Sequence, residues 1–108
     1  MHISRLYRIM LELEGHIILG IANNGENAIE LYKSFHEKPD IILMDQRMPI
    51  KNGIDTTREI FKINKNAKII FTSADNSVKD QALSLGVLFF MQKPFKCEDL
   101  IESIKSAL

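Results

Sequence analysis

The sequence predicts an α/β fold, a doubly wound parallel sheet with helices on both faces. Patterns typical of helices and strands alternate along the chain, and the connections between them are short. The strand-like runs are nearly continuous in apolar residues, as in strands buried on both faces of a parallel sheet. With 108 residues, we expect a single domain over residues 1–108 with one core.

The composition is that of an ordinary soluble globular protein, with 45% apolar and 26% charged residues. Basic and acidic residues number 14 each, a balance that gives no support for binding to nucleic acid or to a membrane surface. Cys97 is the one cysteine, so no internal disulfide can form and a reducing compartment fits best. Glu12 and Glu14 interrupt the N-terminal apolar residues before a signal-peptide core could form. No apolar run approaches the ~20 residues of a membrane span, and the cytoplasm is the expected location.

Five helices are predicted from apolar residues that recur at intervals of three and four. Gly15 and Gly86 end the first and fourth helices, at the position that favours a left-handed residue. Asn24 or Gly25 begins the second helix. The residues that mark the five helices are Leu6, Ile9, Met10 and Leu13; Ala28, Leu31 and Phe35; Ile54, Thr57, Ile60 and Phe61; Val78, Ala82, Leu83 and Leu85; and Leu100, Ile101 and Ile104.

Four strands are predicted from short apolar runs rich in β-branched residues. They span residues 17–22, 41–44, 68–72 and 87–91. The chain begins with a helix, so the first helix has no predicted strand ahead of it.

Asp45 is the first candidate for a functional residue. It ends the apolar run 41–44, and a polar stretch with turn residues follows it, including Gln46, Arg47 and Pro49. Open α/β sheets place their chemistry at the carboxyl ends of strands, so Asp45 could be a nucleophile or a metal ligand. Asp is also common as an ordinary solvated residue at such boundaries, and position alone leaves both interpretations open.

Taken together, these elements and motifs resemble the receiver domain of two-component response regulators, the CheY-like family with a flavodoxin-type sheet. The resemblance covers the chain from the first helix onward, and its motifs occur in the order and at the spacing of the family. They are residues 39–45 followed by Met48-Pro49, Asn52-Gly53-Ile54, Ser73-Ala74, Lys93-Pro94-Phe95, and Phe90 three residues before Lys93.

The resemblance implies a phosphoacceptor of two-component signal transduction and not an enzyme in the usual sense. Asp45 would be phosphorylated by a sensor histidine kinase or a phosphotransfer protein, forming an aspartyl phosphate. Mg²⁺ would bind the Asp45 carboxylate and the backbone carbonyl of Arg47. Lys93 would pair with one phosphoryl oxygen, and Ser73 would donate its hydroxyl to another.

The resemblance also implies a switch between Ser73 and Phe90. Movement of Ser73 toward the phosphoryl group would vacate space that the Phe90 ring can enter. A downstream protein partner would read this change on the face of the fourth helix, last strand and fifth helix. Thr72 competes for the hydroxyl role, but we prefer Ser73 because Ala74 follows it and neighbouring strand residues point to opposite faces. A Phe in an apolar run is more often a core residue.

One feature of the family is absent from the sequence pattern. The family's first strand ends in two acidic residues that bind Mg²⁺, whereas residues 1–4 already align with the start of the first helix. We therefore expect a receiver truncated at its N-terminus, with weak or absent Mg²⁺ binding. Without that central strand, residues 17–22 and 41–44 would lack their shared neighbour. Lower stability, or a homodimer in which another chain fills the gap, is the expected result.

Two other functions stay open. A receiver-like interaction module that is not phosphorylated is favoured by the absent acidic pair. An Asp-nucleophile phosphatase on a similar sheet would need a second Asp two residues after Asp45, where this chain has Arg47. His2, His16 and His36 are isolated from one another and from any cysteine pattern, and are expected to be surface residues without a metal.

Overall fold

Three parallel strands form the sheet in the part of the chain that the structure, a computed structural model, describes: residues 11–108. Their order is β1-β2-β3, with β2 in the centre. The strands are β1 (Ile42–Asp45), β2 (Ile69–Ser73) and β3 (Phe89–Gln92). The helices are α1 (Gly25–Ser34), α2 (Gly53–Ile63), α3 (Lys79–Leu85) and α4 (Cys97–Ala107), and a 3₁₀ turn at Asn76–Val78 precedes α3.

The sheet lies between two layers of helices, because successive strand residues face opposite sides. On one side, Met44 and Phe71 pack into a core shared with α1, α2 and α3. On the other side, Ile70 and Met91 pack against Leu100 and Ile104 of α4. The doubly wound parallel fold predicted from the alternation of helices and strands is therefore confirmed.

The starts and ends of the helices follow the capping residues of the sequence. Asn24 Oδ1 accepts a hydrogen bond from Asn27 N–H at 2.8 Å, and Asn52 Oδ1 accepts one from Asp55 N–H at 2.9 Å. Gly86 closes α3 with φ +112°, a left-handed conformation that other residues avoid. The predicted boundaries of α1 and α3 are confirmed at these positions.

The predicted first helix falls largely outside the described residues. Residues 11–13 are helical, and the chain turns at Gly15 as predicted. The other predicted markers of the first helix lie outside the described part of the chain: Leu6, Ile9 and Met10. His2 also lies outside it.

Among the helices of residues 11–108, none has the length and apolar character that a membrane span requires.

The predicted strand at residues 17–22 is wrong. This segment belongs to no sheet among residues 11–108. This segment and β1 both line an apolar cleft of about 650 Å³. Two paired strands lie only about 4.8 Å apart, which leaves no room for such a cleft between them. A β-rich composition does not make a strand without a neighbour to accept and donate its hydrogen bonds. The same cleft leaves Ile42 and Leu43 half-buried, although the run 41–44 was expected to be buried on both faces.

Ile50, in the loop between β1 and α2, has a backbone conformation that is unusual for a β-branched residue. Its φ is +71°, and Lys51 N–H donates to the Pro49 carbonyl at 2.7 Å, which together form a strained γ-turn. The Ile50 side chain is 78% exposed, so little packing offsets the strain. We expect Ile50→Asn to raise the free energy of unfolding by about 1 kcal/mol, because Asn tolerates positive φ.

Urea unfolding followed by circular dichroism measures this change. Ile17→Asn is the matched control, because Ile17 is 83% exposed and Ile50 is the one non-glycine residue with positive φ within residues 11–108. The control is expected to give no gain. A lower unfolding midpoint for Ile50→Asn than for the wild type would show that the turn is not strained.

Candidate functional site

The carboxyl ends of the three strands line one cavity of about 700 Å³. Asp45 ends β1, Ser73 ends β2 and Lys93 follows β3. Parallel strands end at the same edge of a sheet, so residues far apart in the sequence meet there. The structure thus brings together the three side chains that the sequence patterns indicated as candidate functional residues.

The Asp45 carboxylate is held from two sides. Lys93 Nζ lies 2.7 Å from Asp45 Oδ2, and Arg47 N–H donates a long hydrogen bond of 3.4 Å to Oδ1. The Asp45 side chain is 12% exposed and that of Lys93 is 37% exposed. The carboxylate is therefore largely buried but still reachable from the cavity, with the positive charge of Lys93 beside it.

Ser73, and not Thr72, lines the cavity. Its Oγ accepts a hydrogen bond from Asp75 N–H at 2.9 Å. Thr72 Oγ1 instead donates to the Met44 carbonyl at 3.4 Å, inside the protein. The alternation along β2, which favoured Ser73 in the sequence, accounts for this difference.

Phe90 packs in the core on the side of the sheet that Phe71 and Ser73 face. Its ring stacks on Phe71, with centroids 6.0 Å apart and an interplanar angle of 17°. Phe71 pairs in register with Phe90, and Ser73 with Gln92, so Phe90 lies two positions from Ser73 on one face. Phe90 is a half-buried core residue in this structure, and its role as a switch stays a prediction.

The loop after Asp45 is fastened to its surroundings by Gln46, a residue that the sequence analysis did not select. Gln46 N–H donates to the Thr72 carbonyl, and the Gln46 carbonyl and Oε1 accept from Gly53 N–H and Ile54 N–H, each at 3.0 Å. A Cβ at Gly53 would overlap the Asp45 carbonyl oxygen, so glycine permits this close approach.

Lys51 ties the far end of the loop to two helices. Its Nζ makes an ion pair with Glu59 of α2 and lies 3.7 Å from Glu26 Oε1 of α1. The hydrogen bond between Lys51 and Glu59 raises the pKa of Lys51 and lowers the pKa of Glu59. Lys51 directly follows Ile50, so these contacts lie beside the strained turn.

A second carboxylate, that of Asp75, also lines the cavity. Its Oδ1 accepts a hydrogen bond from Ser77 N–H at 2.9 Å. Hydrogen bonds from the Ser77 side chain and backbone, and more weakly the charge of Arg47, lower the pKa of Asp75. Asp75 therefore serves first as the cap of the 3₁₀ turn.

The described residues offer few ligands for a metal ion. Within residues 11–108, no group of three or more His, Cys, Asp or Glu side chains could hold one. His36 is exposed as expected, but His16 is half-buried, and its Nε2, enclosed at the apolar cleft, has no hydrogen-bond partner among the described residues. Mg²⁺ prefers oxygen ligands and keeps several waters. Asp45 and Arg47 both line the cavity, and their predicted role as Mg²⁺ ligands stays a prediction.

The chain belongs to the family of response regulator receiver domains, whose pattern matches residues 1–105. It is similar to the chemotaxis protein CheY of Thermotoga maritima, with 42% identity over 92 residues that cover 83% of this chain and 75% of that protein. It is also similar to Protein CcdB of Bacillus subtilis, with 36% identity over 103 residues that cover 94% of this chain and 84% of that protein.

Solved structures show the same fold. A chain in the CheX-CheY-BeF3-Mg²⁺ complex from Borrelia burgdorferi has 28% identity and a TM-score of 0.85, covering 94% of this chain and 78% of that one. The response regulator TrrA from Thermotoga maritima, in complex with Mg²⁺-BeF, has 28% identity and a TM-score of 0.79, covering 95% and 90%. This chain is therefore a CheY-like receiver domain of two-component signalling, a class that sets aside the phosphatase alternative.

Proposed function

We propose that Asp45 accepts a phosphoryl group from a sensor histidine kinase or a phosphotransfer protein. The observation that supports this most is the convergence of Asp45, Lys93 and Ser73 on one accessible cavity. A carboxylate oxygen would attack the phosphorus and form the O–P bond. The P–N bond of the donor phosphohistidine would break, and its imidazole would keep the electron pair. The protein's task is then to position the groups and neutralise charge.

Lys93 and Ser73 would each bind one phosphoryl oxygen. Lys93 already lies beside the carboxylate, and the Ser73 hydroxyl can turn its hydrogen toward the cavity. Mg²⁺, when bound by Asp45 and the Arg47 carbonyl, would neutralise further charge on the phosphoryl oxygens. Because Asp75 is engaged by Ser77, we propose that Mg²⁺ binds weakly until a phosphoryl group supplies ligands.

The output of the receiver would be a partner-binding face formed by α3, β3 and α4. Leu83 of α3 and Leu88, just before β3, are 42% and 44% exposed, which gives this side apolar contact points. Phe90 is a residue of β3, within this face. Phosphorylation would move Ser73 and shift the Phe90 ring, and a downstream protein would bind the altered face.

Incubation of the wild-type chain with acetyl phosphate and Mg²⁺, followed by intact mass, tests the proposal. A gain of one phosphoryl group is expected. The second candidate function, an interaction module that is not phosphorylated, is favoured by the lack of an acidic cluster within residues 11–108. It predicts no mass gain and no response to beryllofluoride, a tetrahedral mimic of the phosphoryl group.

Lys93→Ala is expected to leave folding nearly intact, because an ion pair with a partly exposed lysine contributes little to stability. It should abolish the NMR shift changes that beryllofluoride and Mg²⁺ cause in α3 and β3. Lys96→Ala removes an exposed lysine from the same connection and should behave like the wild type. Identical shift changes in the wild type and in Lys93→Ala would show that Lys93 does not couple the cavity to the output face.

A further inference from the structure

Gln46, the first residue after Asp45, makes one hydrogen bond to β2 and two to the start of α2. Its N–H donates to the Thr72 carbonyl on β2. Its carbonyl accepts from Gly53 N–H, and its side-chain Oε1 accepts from Ile54 N–H. Each of these distances is 3.0 Å, within the ordinary range for N–H···O bonds. The acceptor loop is thus clamped between β2 and the start of α2.

Gln46 and Asn52 share the free donors at the start of α2. The first N–H groups of a helix have no partner inside the helix and need acceptors from elsewhere. Asn52 Oδ1 accepts from Asp55 N–H, and Gln46 accepts from the two before it, Gly53 and Ile54. Ile54 is 4% exposed, so water has little access to replace a lost acceptor there.

We infer that Gln46 is a positioning residue, whose side chain locks the loop to α2 and so holds the Asp45 carboxylate against Lys93. This inference rests on the proposed function of Asp45. The residue type matters, because the amide oxygen must reach an N–H eight residues further along the chain. Methionine has a similar length but only a weak acceptor, whereas glutamate keeps the oxygen and adds a charge beside the phosphoryl site.

Three variants of the full chain test this role. Gln46→Met removes the strong acceptor, and Gln46→Glu retains an oxygen for Ile54 N–H. Asn24→Ala is the matched control, since it removes the bond from Asn27 N–H at the start of α1, outside the cavity. The wild type and the three variants are compared at a temperature at which each is folded.

The rate of phosphorylation is measured against acetyl phosphate concentration, together with hydrogen exchange at Ile54 N–H. Gln46→Met is expected to lower the maximal rate by about tenfold to a hundredfold, with the half-saturating concentration little changed and faster exchange at Ile54. Gln46→Glu should keep the slow exchange. Asn24→Ala should keep the wild-type rate, although it loses a cap.

The carboxyl ¹³C resonance of Asp45, recorded without phosphodonor, gives a readout that does not need phosphorylation. It should move in Gln46→Met and stay in place in Asn24→Ala. An unreactive wild type in which Gln46→Met still moves this resonance would overturn the proposed function and support the positioning role. The same Asp45 resonance and the same rate in Gln46→Met as in the wild type would overturn the inference about Gln46.

Discussion

Asp45→Asn is expected to abolish phosphorylation while the chain stays folded. Asparagine has nearly the same shape as aspartate, but its amide is not a nucleophile toward phosphorus. The variant loses the ion pair to Lys93 Nζ at 2.7 Å, yet the partly exposed lysine can return to water. Circular dichroism checks the fold, and intact mass with peptide mapping measures the incorporated phosphoryl group.

Asp40→Asn is the control, because Asp40 is an exposed carboxylate just ahead of the same strand. It should be phosphorylated at the wild-type rate. Label that persists in Asp45→Asn would assign the acceptor to another residue and sink the proposed role of Asp45.

Gly53→Ala is expected to have the second largest effect, on both stability and reactivity. The added Cβ would overlap the Asp45 carbonyl oxygen and approach the backbone of Gln46. Backbone atoms cannot turn aside as a side chain can, so the start of α2 and the acceptor loop must separate. Overpacking of this kind costs about 1–3 kcal/mol, and displacement of the Asp45 loop should slow phosphorylation at least about tenfold.

Gly86→Ala separates these two effects. It is also expected to cost about 1–2 kcal/mol, because Gly86 has φ +112°. A Cβ there would meet nothing nearer than the Phe61 ring at 3.8 Å, and Gly86 lies outside the cavity. Thermal melts and acetyl phosphate kinetics should show two destabilised proteins, of which only Gly53→Ala reacts slowly. Equal rates in both would mean that the close approach at Gly53 does not position Asp45.

Local patterns predicted the parts of the fold that depend on local physics. The apolar run ending at Asp45 gave a strand with that carboxylate at its end, and Gly86 ended a helix as expected. The choice of Ser73 over Thr72 rested on strand alternation, and the structure places Ser73 at the cavity. Such features need only a short window of sequence, because period and caps are properties of neighbouring residues.

Features that depend on distant partners could not be read from the sequence. Residues 17–22 have a strand-like composition, but a strand requires a hydrogen-bonded neighbour that local composition does not supply. Gln46 gave no signal, because its partner Ile54 is brought near only by the turn of the loop. The predicted N-terminal truncation and the single-domain boundary at residue 1 stay predictions, since they depend on residues before 11.

The Asp45–Lys93 contact joins residues 48 positions apart and bridges the two outer strands across β2. Neither half of the chain contains the site, so a chain emerging from the ribosome has no lysine beside its acceptor until β3 has docked. On the proposed function, a histidine kinase would therefore meet the complete site only in molecules whose three strands have come together. Phosphorylation would then depend on complete folding. Misfolded copies would not be phosphorylated and would not compete for the output partner.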